Sequence, residues 1–100
     1  MKINNEEIKF KITPRAIEIV ERETNFDILS LLRAAGKIEP KANEYYKLMY
    51  VGYIGEILSK DSKAKYPTYD EFLELLKDIS LSTLSKEGSA IVIELLKIKN

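Results

Sequence analysis

The sequence predicts a mostly α-helical domain: a short amino-terminal β-hairpin followed by a compact bundle of four or five helices. Ile8, Phe10 and Ile12 alternate with Lys9 and Lys11, the period-two pattern of a half-buried strand. Beyond Thr13-Pro14 the apolar residues instead recur three and four apart, as on helices, through to Ile98. The chain has 100 residues, 45% apolar and 32% charged, which is enough for one modest core and too apolar for disorder. Residues 1–100 therefore form a single domain, with the hairpin over 1–12 and the helices over 14–99.

Met1 to Ile3 can pair back against the strand that begins at Ile8, with Asn4 to Glu7 turning the chain. No Asn-Gly dipeptide is present to fix the turn type. Thr13 supplies a hydroxyl for free helix amides, and Pro14 at the first helical position lacks an amide that would have no partner anyway. A first helix is therefore expected from Pro14 to about Thr24-Asn25. Its apolar side is Ala16, Ile17, Ile19 and Val20, while Arg15, Glu18, Glu21 and Arg22 face water.

Asp27 caps a short second helix carrying Ile28, Leu29, Leu31 and Leu32, with Phe26 as its hydrophobic staple and Gly36 closing it. Pro40 separates this unit from a long third helix over Ala42 to Ser59. Asp61 to Lys65 is a polar loop. Thr68 and Glu71 have capping-box spacing, and a fourth helix follows with Phe72, Leu73, Leu75, Leu76 and Ile79 on one side. Leu84, Ile91, Leu95 and Ile98 predict a fifth helix, broken or started near Gly88, with Ser82 and Ser89 as alternative starting points.

Composition excludes much chemistry. Sixteen basic and sixteen acidic residues cancel, so no global positive field exists to attract nucleic acid. The chain has no cysteine and no histidine, which removes disulfides, thiolate nucleophiles, imidazole acid/base catalysis and the usual zinc sets. Glu18, Glu21, Glu23 and Glu94 have no spacing that isolates a carboxylate pair, and Ser80, Ser82, Ser85 and Ser89 lie in no nucleophile elbow or phosphate loop. No enzyme, cofactor or metal is expected. The amino terminus lacks the apolar core of a signal peptide, and no stretch approaches a membrane span, so a soluble cytoplasmic protein is expected.

The third helix carries Tyr45, Tyr46, Leu48, Met49, Tyr50, Val51, Tyr53, Ile54, Ile57 and Leu58, more apolar surface than one stripe uses. It is either a central helix surrounded on most sides or a surface for another chain. Tyr46, Tyr50 and Tyr53 recur at i, i+4 and i+7 with Met49 beside them, and a rigid ring with a polar tip suits interfaces. These four residues are the candidate protein-binding surface. Gly52 and Gly55 would let a second helix approach closely, offsetting about 1 kcal/mol of helix propensity lost at each. Lys60, Lys63 and Lys65 with Tyr66 and Tyr69 form a basic-aromatic patch diluted by Asp61 and Asp70, which reads as a solvated loop rather than a base-stacking site.

The Thr13-Pro14 junction, a helix with Ile17, Val20 and Glu21, and then Phe26-Asp27-Ile28-Leu29 and Leu31-Leu32, resemble the tail assembly chaperones of long-tailed bacteriophages and prophages. Tyr45 to Leu58 matches that family's tyrosine- and leucine-rich central helix, and Tyr69-Asp70-Glu71-Phe72 matches a later acidic-aromatic segment. The resemblance implies a non-enzymatic helical protein that binds the tape measure protein and keeps it soluble while tail tube subunits assemble. It also implies absence from the finished virion. In this family a ribosomal frameshift often yields a longer form that recruits tail tube protein, and this chain would be the short form. Self-association into a homo-oligomer would use the same surface. Two other functions fit a small helical domain: a structural tail completion or connector protein, and a regulatory or DNA-binding module. The second would need a basic recognition helix, whereas the third helix carries only Lys47 and, at its end, Lys60.

Overall fold

The computed structural model describes residues 1–3, 5–33 and 41–99. Two short strands, β1 (Lys2–Ile3) and β2 (Glu6–Glu7), pair antiparallel, with Lys2 opposite Glu7 and Ile3 opposite Glu6. Asn5 closes the turn at φ 68°, a left-handed conformation that asparagine tolerates better than most residues. The strands are thus shorter and earlier than the expected pairing of residues 8–12. The amide of Ile8 still donates to the Met1 carbonyl at 2.6 Å, but residues 9–12 belong to no ladder.

The alternation in this segment records burial rather than strand pairing. Ile12 is buried, Ile8 and Phe10 are half-buried, and Lys9 and Lys11 are exposed. The segment runs against a helix: the Lys11 amide donates to the Gly52 carbonyl at 3.0 Å, and Phe10 packs on Gly52. The glycines of the third helix therefore admit an extended segment, not the second helix expected. A Cβ at Gly52 would lie 2.8 Å from that of Phe10, and one at Gly55 would overlap the Lys11 carbonyl oxygen.

Helix α1 spans Pro14–Thr24, with the Thr13 hydroxyl accepting from the Ala16 amide at 3.2 Å and Asn25 closing the helix at φ 56°. Helix α2 spans Ile28–Arg33, and its first turn is held by the Asp27 carboxylate, which accepts from the Ser30 amide at 3.0 Å and the Ser30 hydroxyl at 2.6 Å. Phe26 is buried and sits under the Lys47 ammonium, while Leu29 points outward, 60% exposed. The predicted roles of Gly36 and Pro40, and of the Leu32, Leu95 and Ile98 side chains, fall outside what is described.

Helix α3 spans Ala42–Lys60 and is the axis of the molecule, packed by α1 (Pro14–Thr24), by α4 (Tyr69–Leu75) and by α5 (Leu81–Lys99). Residues Leu48 to Gly52 are buried without interruption, which explains why the middle turns of α3 are apolar on every side. The Thr68 capping box forms in full: the Thr68 hydroxyl accepts from the Glu71 amide at 3.2 Å, and the Glu71 carboxylate accepts from the Thr68 amide at 2.9 Å. Helix α4 ends at Leu75, short of the expected Ile79. The chain continues in tight turns, with the amides of Leu76, Lys77 and Ile79 donating three residues back.

Helix α5 begins at Leu81, beside Ser82, the earlier of the two expected starting points, and is continuous through Gly88. The Ser80 hydroxyl accepts from the Thr83 amide at 3.2 Å. Gly88 is buried under the Tyr45 ring, where a side chain would collide, so this glycine marks a close approach and not a break.

Candidate protein-binding surface

Two of the four predicted surface residues belong to the core. Met49 and Tyr50 have no exposed area, because α3 is enclosed on that side, and the expectation of a free Tyr46-Met49-Tyr50-Tyr53 stripe is corrected accordingly. Tyr46 and Tyr53 are half-buried and pack against the core.

What covers Tyr50 and Tyr53 is α4. The Phe72 ring centroid lies 5.4 Å from that of Tyr50 and 5.1 Å from that of Tyr53, and Tyr69 lies 5.4 Å from Tyr50, all tilted pairs. The Tyr50 hydroxyl is 2.6 Å from the Pro67 carbonyl and 2.9 Å from Glu23 Oε2, so one proton is shared between two acceptors on different parts of the chain. Glu23 Oε1 in turn accepts from the Tyr69 amide at 2.9 Å. One carboxylate from the last turn of α1 thus ties α3 to the start of α4. Burial, then the hydrogen bond to Glu23, holds the Tyr50 phenol well above its ordinary range, and burial also raises Tyr69. Sequence reasoning treated Glu23 only as a carboxylate without a catalytic partner. Its bond to Tyr69 spans 46 positions, and no local spacing announces it.

The exposed apolar surface lies elsewhere. A groove of about 250 Å³ opens between the beginnings of α3 and α5, lined by Ala42, Tyr45, Tyr46, Leu81, Leu84 and Ser85. Leu81 stands at 75% exposure and Leu84 is buried. Of the predicted stripe, only Tyr46 reaches this groove. Its α5 wall was missed because Leu84 read as an ordinary helix residue and Leu81 was not singled out. Gly88 was the available signal, since the Tyr45 ring can lie over α5 only where a side chain is absent. A larger groove, about 410 Å³, runs between residues 8–12 and α5, with Ile8, Phe10, Ile12 and Ile91 among its apolar lining and Lys9, Glu87 and Glu94 as its charged groups.

The remaining candidates resolve into local structure. Lys60 pairs with Glu56 at 3.2 Å, the Lys63 amide is held by Asp61, and Tyr69 turns into the aromatic cluster, so the basic-aromatic patch is divided. Glu18 pairs with Arg22 at 3.0 Å and Glu21 accepts from the Ile28 amide at 3.2 Å. Among the described residues, no group of three or more histidine, cysteine, aspartate or glutamate side chains is arranged to hold a metal ion, and no helix is long and apolar enough to cross a membrane. Comparison with family models, with curated proteins and with solved structures yields no match to this chain.

Proposed function

We propose that this chain is a non-enzymatic tail assembly chaperone of a long-tailed bacteriophage or prophage, acting in the bacterial cytoplasm to keep the tape measure protein soluble while the tail tube assembles. The reading is supported most by the groove between α3 and α5, where Tyr45, Tyr46 and Leu84 form an apolar trough beside the exposed Leu81. Such a trough suits the apolar face of an amphipathic helix, the kind of segment a long helical protein presents repeatedly. A longer frameshifted form would bring tail tube protein to the same complex.

The test is co-expression with a tape measure protein, sought as a very long open frame beside the gene for this chain. The chaperone reading expects that protein to move into the soluble fraction and to copurify with this chain. Loss of both, with each protein expressed, would overturn it. Mass spectrometry of purified particles distinguishes the structural alternative: a chaperone is absent from mature tails, whereas a completion or connector protein is present.

A further inference from the structure

Tyr50 and Tyr53, two residues of the stripe that sequence spacing marks, lie beneath a piece of the same chain. Helix α4 has seven residues, about two turns, and isolated helices shorter than roughly 12 residues are marginal in water. It is entered through residues 61–68, which contain no helix or strand, and left through the tight turns at 76–79. Its packing falls mainly on α3, through the buried Phe72. Its polar attachment to α1 is the Glu23 carboxylate, which bridges the Tyr69 amide and the Tyr50 hydroxyl. Glu23 is an exposed residue, so water can compete for both bonds.

We propose that α4 is a lid, latched by Glu23, over an aromatic docking surface of Tyr50 and Tyr53 on α3 that accepts a partner helix with bulky apolar side chains at i and i+4. The occupant's chemistry is read from the segment now seated there. Phe72 and Leu76, four apart, are the residues this segment buries, and Phe72 lies between the Tyr50 and Tyr53 rings. A partner helix offering the same pair would replace α4 without unpairing any side-chain polar group other than those of the latch. This inference deepens the chaperone reading by giving it a second, gated surface, and it rests on that reading only for the partner's identity.

Hydrogen exchange of the full-length chain, read by mass spectrometry, tests the latch. Glu23→Ala should speed exchange of residues 68–79 by several-fold, up to about tenfold, while α1 and α5 keep their protection, since the Tyr69 amide loses its acceptor whereas the Tyr50 hydroxyl keeps the Pro67 carbonyl. Glu23→Gln, which keeps one acceptor, should fall between. Uniform loss of protection, or no change over 68–79, would overturn the lid. The surface is tested with Phe72→Ala in the full chain and a fluorescent peptide copying Thr68–Ile79 as probe. The peptide should bind this variant, should bind the wild type at least about tenfold more weakly, and should lose binding when it carries Phe72→Ala itself. Equal binding to both chains, or binding indifferent to the peptide's Phe72, would overturn the docking surface. No phage protein enters either measurement, so the lid and the chaperone reading can fail separately.

Discussion

A methyl group at Gly55 would overlap the Lys11 carbonyl oxygen, an atom fixed in the backbone, whereas one at Gly52 meets the Phe10 side chain. Gly55→Ala should therefore lose about 2 kcal/mol, overpacking outweighing roughly 1 kcal/mol of improved helix propensity, and Gly52→Ala should lose less. Denaturant titration of the two variants gives the order. Tyr50 carries a second prediction. Its phenol, with an ordinary value of 10.0, is raised by burial and by Glu23. Above pH 10 the unfolded chain releases this proton and the folded chain keeps it, so the unfolded state binds fewer protons and stability falls as pH rises. Tyr50→Phe should cost about 1–2 kcal/mol at neutral pH through the lost hydroxyl bonds, yet flatten the alkaline decline. Denaturation midpoints measured from pH 7 to 11 would show both effects, and an unchanged alkaline slope would rule the second out.

The caps of α1 and α4 were readable because Thr13-Pro14 and Thr68 with Glu71 are local chemistry, complete within four residues. Spacing was less informative where burial and helix continuity part company. Leu76 is buried and Ile79 half-buried in the expected phase, but both lie in turns beyond the end of α4. Residues 8–12 likewise alternate because they lie along α3, a partner that strand periodicity cannot specify. Thr68→Ala should cost about 1 kcal/mol, and for a domain of this size lower the melting temperature by about 4–8 °C. Acid should loosen the first turns of α2 and α4. Ser30 lowers Asp27 from 3.8 through its hydroxyl first, and the Thr68 amide lowers Glu71 from 4.5. Their stabilisation is present above those values and is lost as pH falls below them, so helical circular dichroism should decline on acidification. Glu71→Gln should remove the α4 share of that decline.

The described residues give a Cα radius of gyration of 12.8 Å, against about 13 Å expected for a compact domain of this length, so the apolar excess of α3 is consumed internally. Which apolar residues were left over could not be read from spacing, because α4 and α5 decide it by where they land. With net charge zero, association through the groove beside Leu81 has little long-range electrostatics to draw on. Leu81→Asp should change stability by less than about 0.5 kcal/mol while abolishing partner binding or self-association, and in the wild type either should persist at about 1 M salt. Sedimentation and pull-down experiments would check this, and binding that survives Leu81→Asp would move the surface elsewhere. The Lys11–Gly52 bond bears on synthesis as well. At roughly 5–20 residues per second, Ile8, Phe10 and Ile12 are made several seconds before the helix that shelters them is complete. Until then the apolar side chains of an alternating segment have no helix to cover them, a pattern prone to pairing with a neighbour, and Lys9 and Lys11 between them oppose such pairing.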